Sequence, residues 1–60
     1  MPVVTVEWWE GRTLVKKKQL VEGITSVMVE IGIPPEAVQI IIKDNSRDNW
    51  ATGGKLASEG

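Results

Sequence analysis

Pro2, directly behind Met1 in "MPVVTVEWWEGRT", is a residue whose chemistry depends entirely on where the chain starts. Inside a chain the proline nitrogen is a non-basic amide. At a free terminus it is a secondary amine on a stiff ring at the mouth of a strand. A terminal α-amino group titrates near 8. Burial in an apolar site beside a cation lowers that value by disfavouring the charged form. Such an amine is free at neutral pH and strong enough to accept a carbon-bound proton. The chain has no histidine, cysteine or tyrosine, so the competing bases are carboxylates and lysines. The alternative is a second-position proline with no role at all.

The composition narrows the remaining chemistry. Without cysteine or histidine there are no disulfides, thiol nucleophiles, imidazole bases or usual zinc ligand sets, and no cofactor or metal is expected. Net charge is −1, from seven basic and eight acidic residues, which is not the basic footprint of a nucleic-acid binder. The run Lys16–Lys18 reads as a solvated helix face rather than an anion patch. No apolar run approaches the roughly 20 residues that span a bilayer, and no signal-peptide layout opens the chain. The expected location is the cytoplasm, with neither nucleic acid nor membrane as partner.

These residues need elements to hold them. Val3–Trp9 is rich in β-branched and tryptophan residues and predicts a strand ending at Glu10-Gly11. Alternation puts Pro2, Val4, Val6 and Trp8 on one face and Val3, Thr5, Glu7 and Trp9 on the other. Both faces carry apolar groups, which predicts cover on both sides. Thr13 suits a helix N-cap, with a stripe at Leu20, Ile24, Val27, Met28 and Ile31 behind it. Gly32 is placed to close that helix in a left-handed conformation, and Pro34-Pro35 prevents its resumption. Gly23, mid-helix, predicts close packing of another element against its face. Val38–Lys43 reads as a second strand, buried on both faces as parallel strands are. The tail from Asp44 is polar and turn-rich, with a short hairpin around Gly53-Gly54. The expected fold class is α/β: one βαβ unit with parallel strands and a C-terminal hairpin, as one domain over residues 1–60. One helix cannot cover both faces of a two-stranded sheet, and so short a chain buries only about 60% of its unfolded surface. Three tryptophans in a chain without phenylalanine or tyrosine suit self-association.

Met1-Pro2, "EGR" at Glu10–Arg12, the helix with lysines near its start, "VQIIIKD" and "NWATGGKLAS" at Asn49–Ser58 together resemble a 4-oxalocrotonate tautomerase family subunit. The likeness spans almost the whole chain. It implies a homo-oligomer, a hexamer built as a trimer of dimers; a hetero-oligomer also fits. It further implies an N-terminal proline amine, exposed once Met1 is removed, as general base. Arg12 would bind a substrate carboxylate, often across a subunit boundary; without the resemblance it would read as a solvated arginine. Trp50 would stand in the apolar wall of the site, where the family usually has phenylalanine. Trp9 would lie near the pocket, with Trp8 in the core or an interface.

One position departs from the family's pattern. Gln39 stands where the best-known members carry a second arginine at the start of the second strand. A glutamine donates a hydrogen bond without supplying charge, and Arg47 or a neighbour's Lys43 is left to supply it. The resemblance implies a cofactor-independent isomerase. Its substrates would be small carboxylated enols, either 2-hydroxymuconate-like dienoates from aromatic-ring breakdown or phenylpyruvate-like enols. The alternative, favoured by Gln39, is a non-catalytic oligomeric scaffold or an inactive member.

Overall fold

The computed structural model describes all residues, Met1–Gly60. Strand β1 (Val3–Trp9) leads through a turn into helix α1 (Leu14–Glu30), and strand β2 (Gln39–Asn45) returns beside β1. Two short strands, β3 (Ala51–Thr52) and β4 (Lys55–Leu56), close the chain. β1 and β2 pair in parallel, from Val3 opposite Gln39 to Trp9 opposite Asn45. β3 and β4 are antiparallel and joined by Gly53-Gly54, both at positive φ (61° and 82°). That is the two-residue hairpin turn which glycine adopts without steric cost. The βαβ unit and the hairpin are those expected.

Local signals set the helix ends. Thr13 accepts the Lys16 backbone N–H on its side chain at 3.3 Å, satisfying one orphan donor of the first turn. At the other end Gly32, at φ +99°, donates to the Val29 carbonyl, and Ile33 donates to that of Met28. This is a Schellman closure, with half-buried Met28 and Ile33 at its two ends.

The strand bounds and the helix stripe differ from expectation. β2 starts at Gln39, because Val38 instead closes the turn by donating to the Pro35 carbonyl. It runs on through Asp44 and Asn45, where pairing with Trp8 and Trp9 overrides their weak strand propensity. The half-buried apolar residues of α1 are Leu20, Val21, Ile24 and Met28. Val27 and Ile31 are 59% and 69% exposed and lie at the margin of that face. Val21 takes the place given to them, since the steps of one, three and four residues from Leu20 keep the helical phase. The lysine run is not uniformly solvated either: Lys17 is half-buried and forms an ion pair with Asp44. Gly23 is exposed, and a Cβ built there would meet nothing within 4 Å, so no element of the chain packs on it.

Cover on both sheet faces is absent from the chain itself. Val4, Val6, Ile40 and Ile42 are half-buried, whereas Val3 and Ile41 on the opposite face are 52% and 48% exposed. No residue is buried. The radius of gyration, 14.6 Å, exceeds the roughly 10 Å of a self-sufficient 60-residue domain. The molecule measures 43 × 24 × 14 Å, a slab two layers thick. No helix is long and apolar enough to cross a membrane.

Candidate functional site

At the C-terminal end of β1 the chain turns sharply. Glu10 donates its N–H to the Asn45 carbonyl at 2.9 Å, and Gly11 takes φ +112°, a conformation that favours glycine. This turn carries Arg12 back over the strand it has just left. Its guanidinium carbon lies 5.0 Å from the centroid of the Trp8 ring, within cation–π range. Trp9 meets Trp50 edge-to-face, with centroids 5.9 Å apart and planes at 77°. Arg47, in the single 3-10 turn Arg47–Asn49, places its guanidinium 4.4 Å from the Trp9 centroid.

Glu7, Trp8, Trp9, Arg12 and Trp50 line an open pocket of about 230 Å³. Three indoles make its apolar wall, and Arg12 supplies a cation without a carboxylate partner. The one ion pair of the chain is Lys17–Asp44. Glu7 is held by the Asn45 side-chain amide, which donates to its Oε1 at 3.3 Å. Asp44 accepts from Trp8 Nε1 and from Lys17 Nζ, each at 2.5 Å. Those two hydrogen bonds, Lys17's first, hold its carboxyl below the usual aspartate value. Trp9 Nε1 is shielded from solvent and has no hydrogen-bond partner, a state that buried polar groups rarely keep.

The expected site residues fall into two groups. Trp9, Arg12 and Trp50 come together in the pocket. Pro2 and Gln39 lie together at the opposite end of the sheet, where the Gln39 N–H donates to the Pro2 carbonyl at 3.1 Å. Seven residue steps along the strand lead from Pro2 to Trp9, roughly 23 Å at the usual rise. Within one chain, then, Pro2 and Arg12 do not meet.

Trp8, expected in a core or an interface, lines the pocket beside Trp9. Alternation describes where Cβ atoms point, and at the last turn of a strand an indole is long enough to reach around the end. Glu7 was not singled out in the sequence at all, and nothing in its own neighbourhood marks it. Of the two residues that could supply a second charge, Arg47 stacks at the pocket's edge. Lys43 lies opposite Glu7 in the ladder.

Comparison with known proteins gives a uniform result. A family profile described as "Tautomerase enzyme" matches residues 2–60. A "Probable tautomerase" of Bacillus cereus is 42% identical over 60 residues, covering 98% of each chain. A "2-hydroxymuconate tautomerase" of Bacillus subtilis is 38% identical, covering 98% of this chain and 97% of its own. Among solved structures, YwhB, a homologue of 4-oxalocrotonate tautomerase, superposes with a TM-score of 0.92 at 37% identity, covering 98% of each chain.

Proposed function

The chain belongs to the tautomerase enzyme family, and on that premise we propose that it is a cofactor-independent isomerase of small carboxylated enols, with the amine of Pro2 as general base. The observation that carries the reading is Arg12. It is a guanidinium fixed on an indole face at an aromatic pocket, with no acid of the chain to neutralise it. Its fork of donors matches a carboxylate, and the indoles of Trp9 and Trp50 suit a planar conjugated chain.

Removal of Met1, which is 85% exposed, frees the Pro2 amine. The base takes a proton from the enol hydroxyl or from carbon beside the carbonyl, then returns one to a distant carbon. Arg12 holds the carboxylate and stabilises the charge that builds up on the dienolate between these steps. Gln39, adjacent to Pro2, donates a hydrogen bond to the developing oxyanion, and Arg47 supplies the charge that Gln39 lacks.

Because Pro2 lies roughly 23 Å along β1 from Trp9 at the pocket, a complete site takes Pro2 from one subunit and the aromatic pocket from another. The open sheet face carrying Val3 and Ile41 supports the same association. We therefore read the active form as a homo-oligomer, a hexamer of three dimers acting in the cytoplasm on enols of the 2-hydroxymuconate or phenylpyruvate kind. The non-catalytic scaffold is favoured by Gln39 alone.

The test is ultraviolet-monitored ketonisation of 2-hydroxymuconate and of the phenylpyruvate enol. It compares Met-processed protein, a form blocked from losing Met1, and Pro2→Ala. Processed protein should be active, with a rate rising with pH as the amine loses its proton. Pro2→Ala should keep part of the activity through its primary amine. The Met-retaining form should lose the base step. Equal rates for processed and Met-retaining protein would leave the scaffold standing.

A further inference from the structure

We propose that Asp44 is the positioning residue for Arg12, acting through the indole of Trp8; the inference rests on the reading of Arg12 as the carboxylate-binding residue. Asp44 sits directly opposite Trp8 in the parallel ladder. Its Oδ1 accepts from Trp8 Nε1 and its Oδ2 from Lys17 Nζ, each at 2.5 Å. One carboxylate on β2 thereby ties the last turn of β1 to the first turns of α1. A tryptophan ring turns about two bonds, and a directional hydrogen bond at its ring nitrogen fixes the plane.

Arg12 rests on that plane. It forms no ion pair, and its side chain takes part in none of the hydrogen bonds of the chain. The indole face is the one anchor it has, so the direction of the guanidinium follows the direction of the ring. Lys17 has a second effect here. It occupies the oxygen of Asp44 that could otherwise draw Arg12 into an internal salt bridge. The N–H edge of Arg12 is left for a ligand. Asp44 does not itself line the pocket and forms no ion pair with Arg12; the two charges act on each other only through space, and the directional link between them is Trp8.

The decisive experiment pairs a double-mutant cycle with a measurement of Arg12 motion. Asp44→Leu removes both contacts. Trp8→Phe keeps a ring for Arg12 but removes the N–H. Each should raise KM for 2-hydroxymuconate about tenfold and lower kcat by a smaller factor, because Arg12 holds the ground-state carboxylate as well as the dienolate. Placed on Arg12→Gln, Asp44→Leu should add less than about twofold, because coupled residues lose their interaction only once. Asp44→Asn keeps an acceptor for Trp8 and should restore most of the affinity.

Independently of activity, the NMR order parameter of the Arg12 Nε–Hε bond should fall below about 0.6 in Asp44→Leu and stay near the wild-type value in Asp44→Asn. An equal KM penalty in both Arg12 backgrounds would overturn the proposal. So would an Arg12 side chain equally ordered in Asp44→Leu. Arg12→Gln with unchanged KM would instead refute the carboxylate role of Arg12, and the order parameter would still decide whether Asp44 positions it.

Discussion

Arg12 lies 5.0 Å above the ring of Trp8, the residue four positions before it, on the far side of the Glu10-Gly11 turn. The contact holds a full positive charge against an apolar wall while leaving its donors free. Arg12→Ala should lower kcat/KM for carboxylated enols by about 2 kcal/mol, or roughly thirtyfold, the cost of a lost charge-assisted hydrogen bond. The assembly should keep its mass in light scattering. Dissociation with normal turnover per folded site would assign Arg12 to the interface instead.

Ile41 stands opposite Thr5 on the sheet face that α1 does not cover and is 48% exposed. In an assembly that buries this face, Ile41→Lys would strand a charge without a partner, at a cost of several kcal/mol. Light scattering at micromolar concentration should give a mass well above one subunit for the wild type. The variant should fall towards a single subunit or fail to fold. A compact wild-type monomer would refute the association.

Acid sensitivity follows from Asp44. Its pKa lies below the ordinary 3.8 because Lys17 and Trp8 donate to the ionised form. A carboxyl depressed in the folded state adds stability above its unfolded value, and that stability drains away as pH falls through the folded value. The loss therefore belongs below pH 3.8. Asp44→Asn should flatten this acid limb, read as denaturation midpoints against pH. The effect should be modest, because both partners of the ion pair are partly solvated.

Gly23 is helical and its missing Cβ would meet nothing within 4 Å. Gly23→Ala should stabilise the protein by about 1 kcal/mol, the helix-propensity difference between the two residues. Urea denaturation measures it. Destabilisation would show that a second subunit approaches the helix at this point.

The order of elements was legible because each carries its own local signal: β-branched runs for the strands, Thr13 and Gly32 for the helix ends, Gly53-Gly54 for the hairpin. The helix phase was harder to read. Apolar residues flank α1 on both margins, so Val27 and Val21 compete for the same face until the sheet beneath is known. Asp44 and Asn45 look like loop residues by composition, and only the parallel ladder makes them strand. The grouping of Trp9, Arg12 and Trp50 came with the family resemblance. The place of Trp8 in the pocket did not, because strand alternation says nothing about how far an indole reaches past the strand's end. Arg47 was noticed for its charge, while its seat on Trp9 depends on the short 3-10 turn before Trp50.

The hydrogen bond from Gln39 to Pro2 uses the proline carbonyl and leaves the nitrogen out. While Met1 is attached the proline nitrogen has no N–H to give a sheet, and the ladder, which starts at Val3 opposite Gln39, makes no use of that atom. Hydrolysis of the Met1–Pro2 amide would discard a side chain that is 85% exposed and would break no pairing. The same strand can therefore carry an inert amide or a basic amine at its mouth. The chemical state of one nitrogen is decoupled from the register of the sheet, and maturation can alter reactivity without asking the fold to readjust.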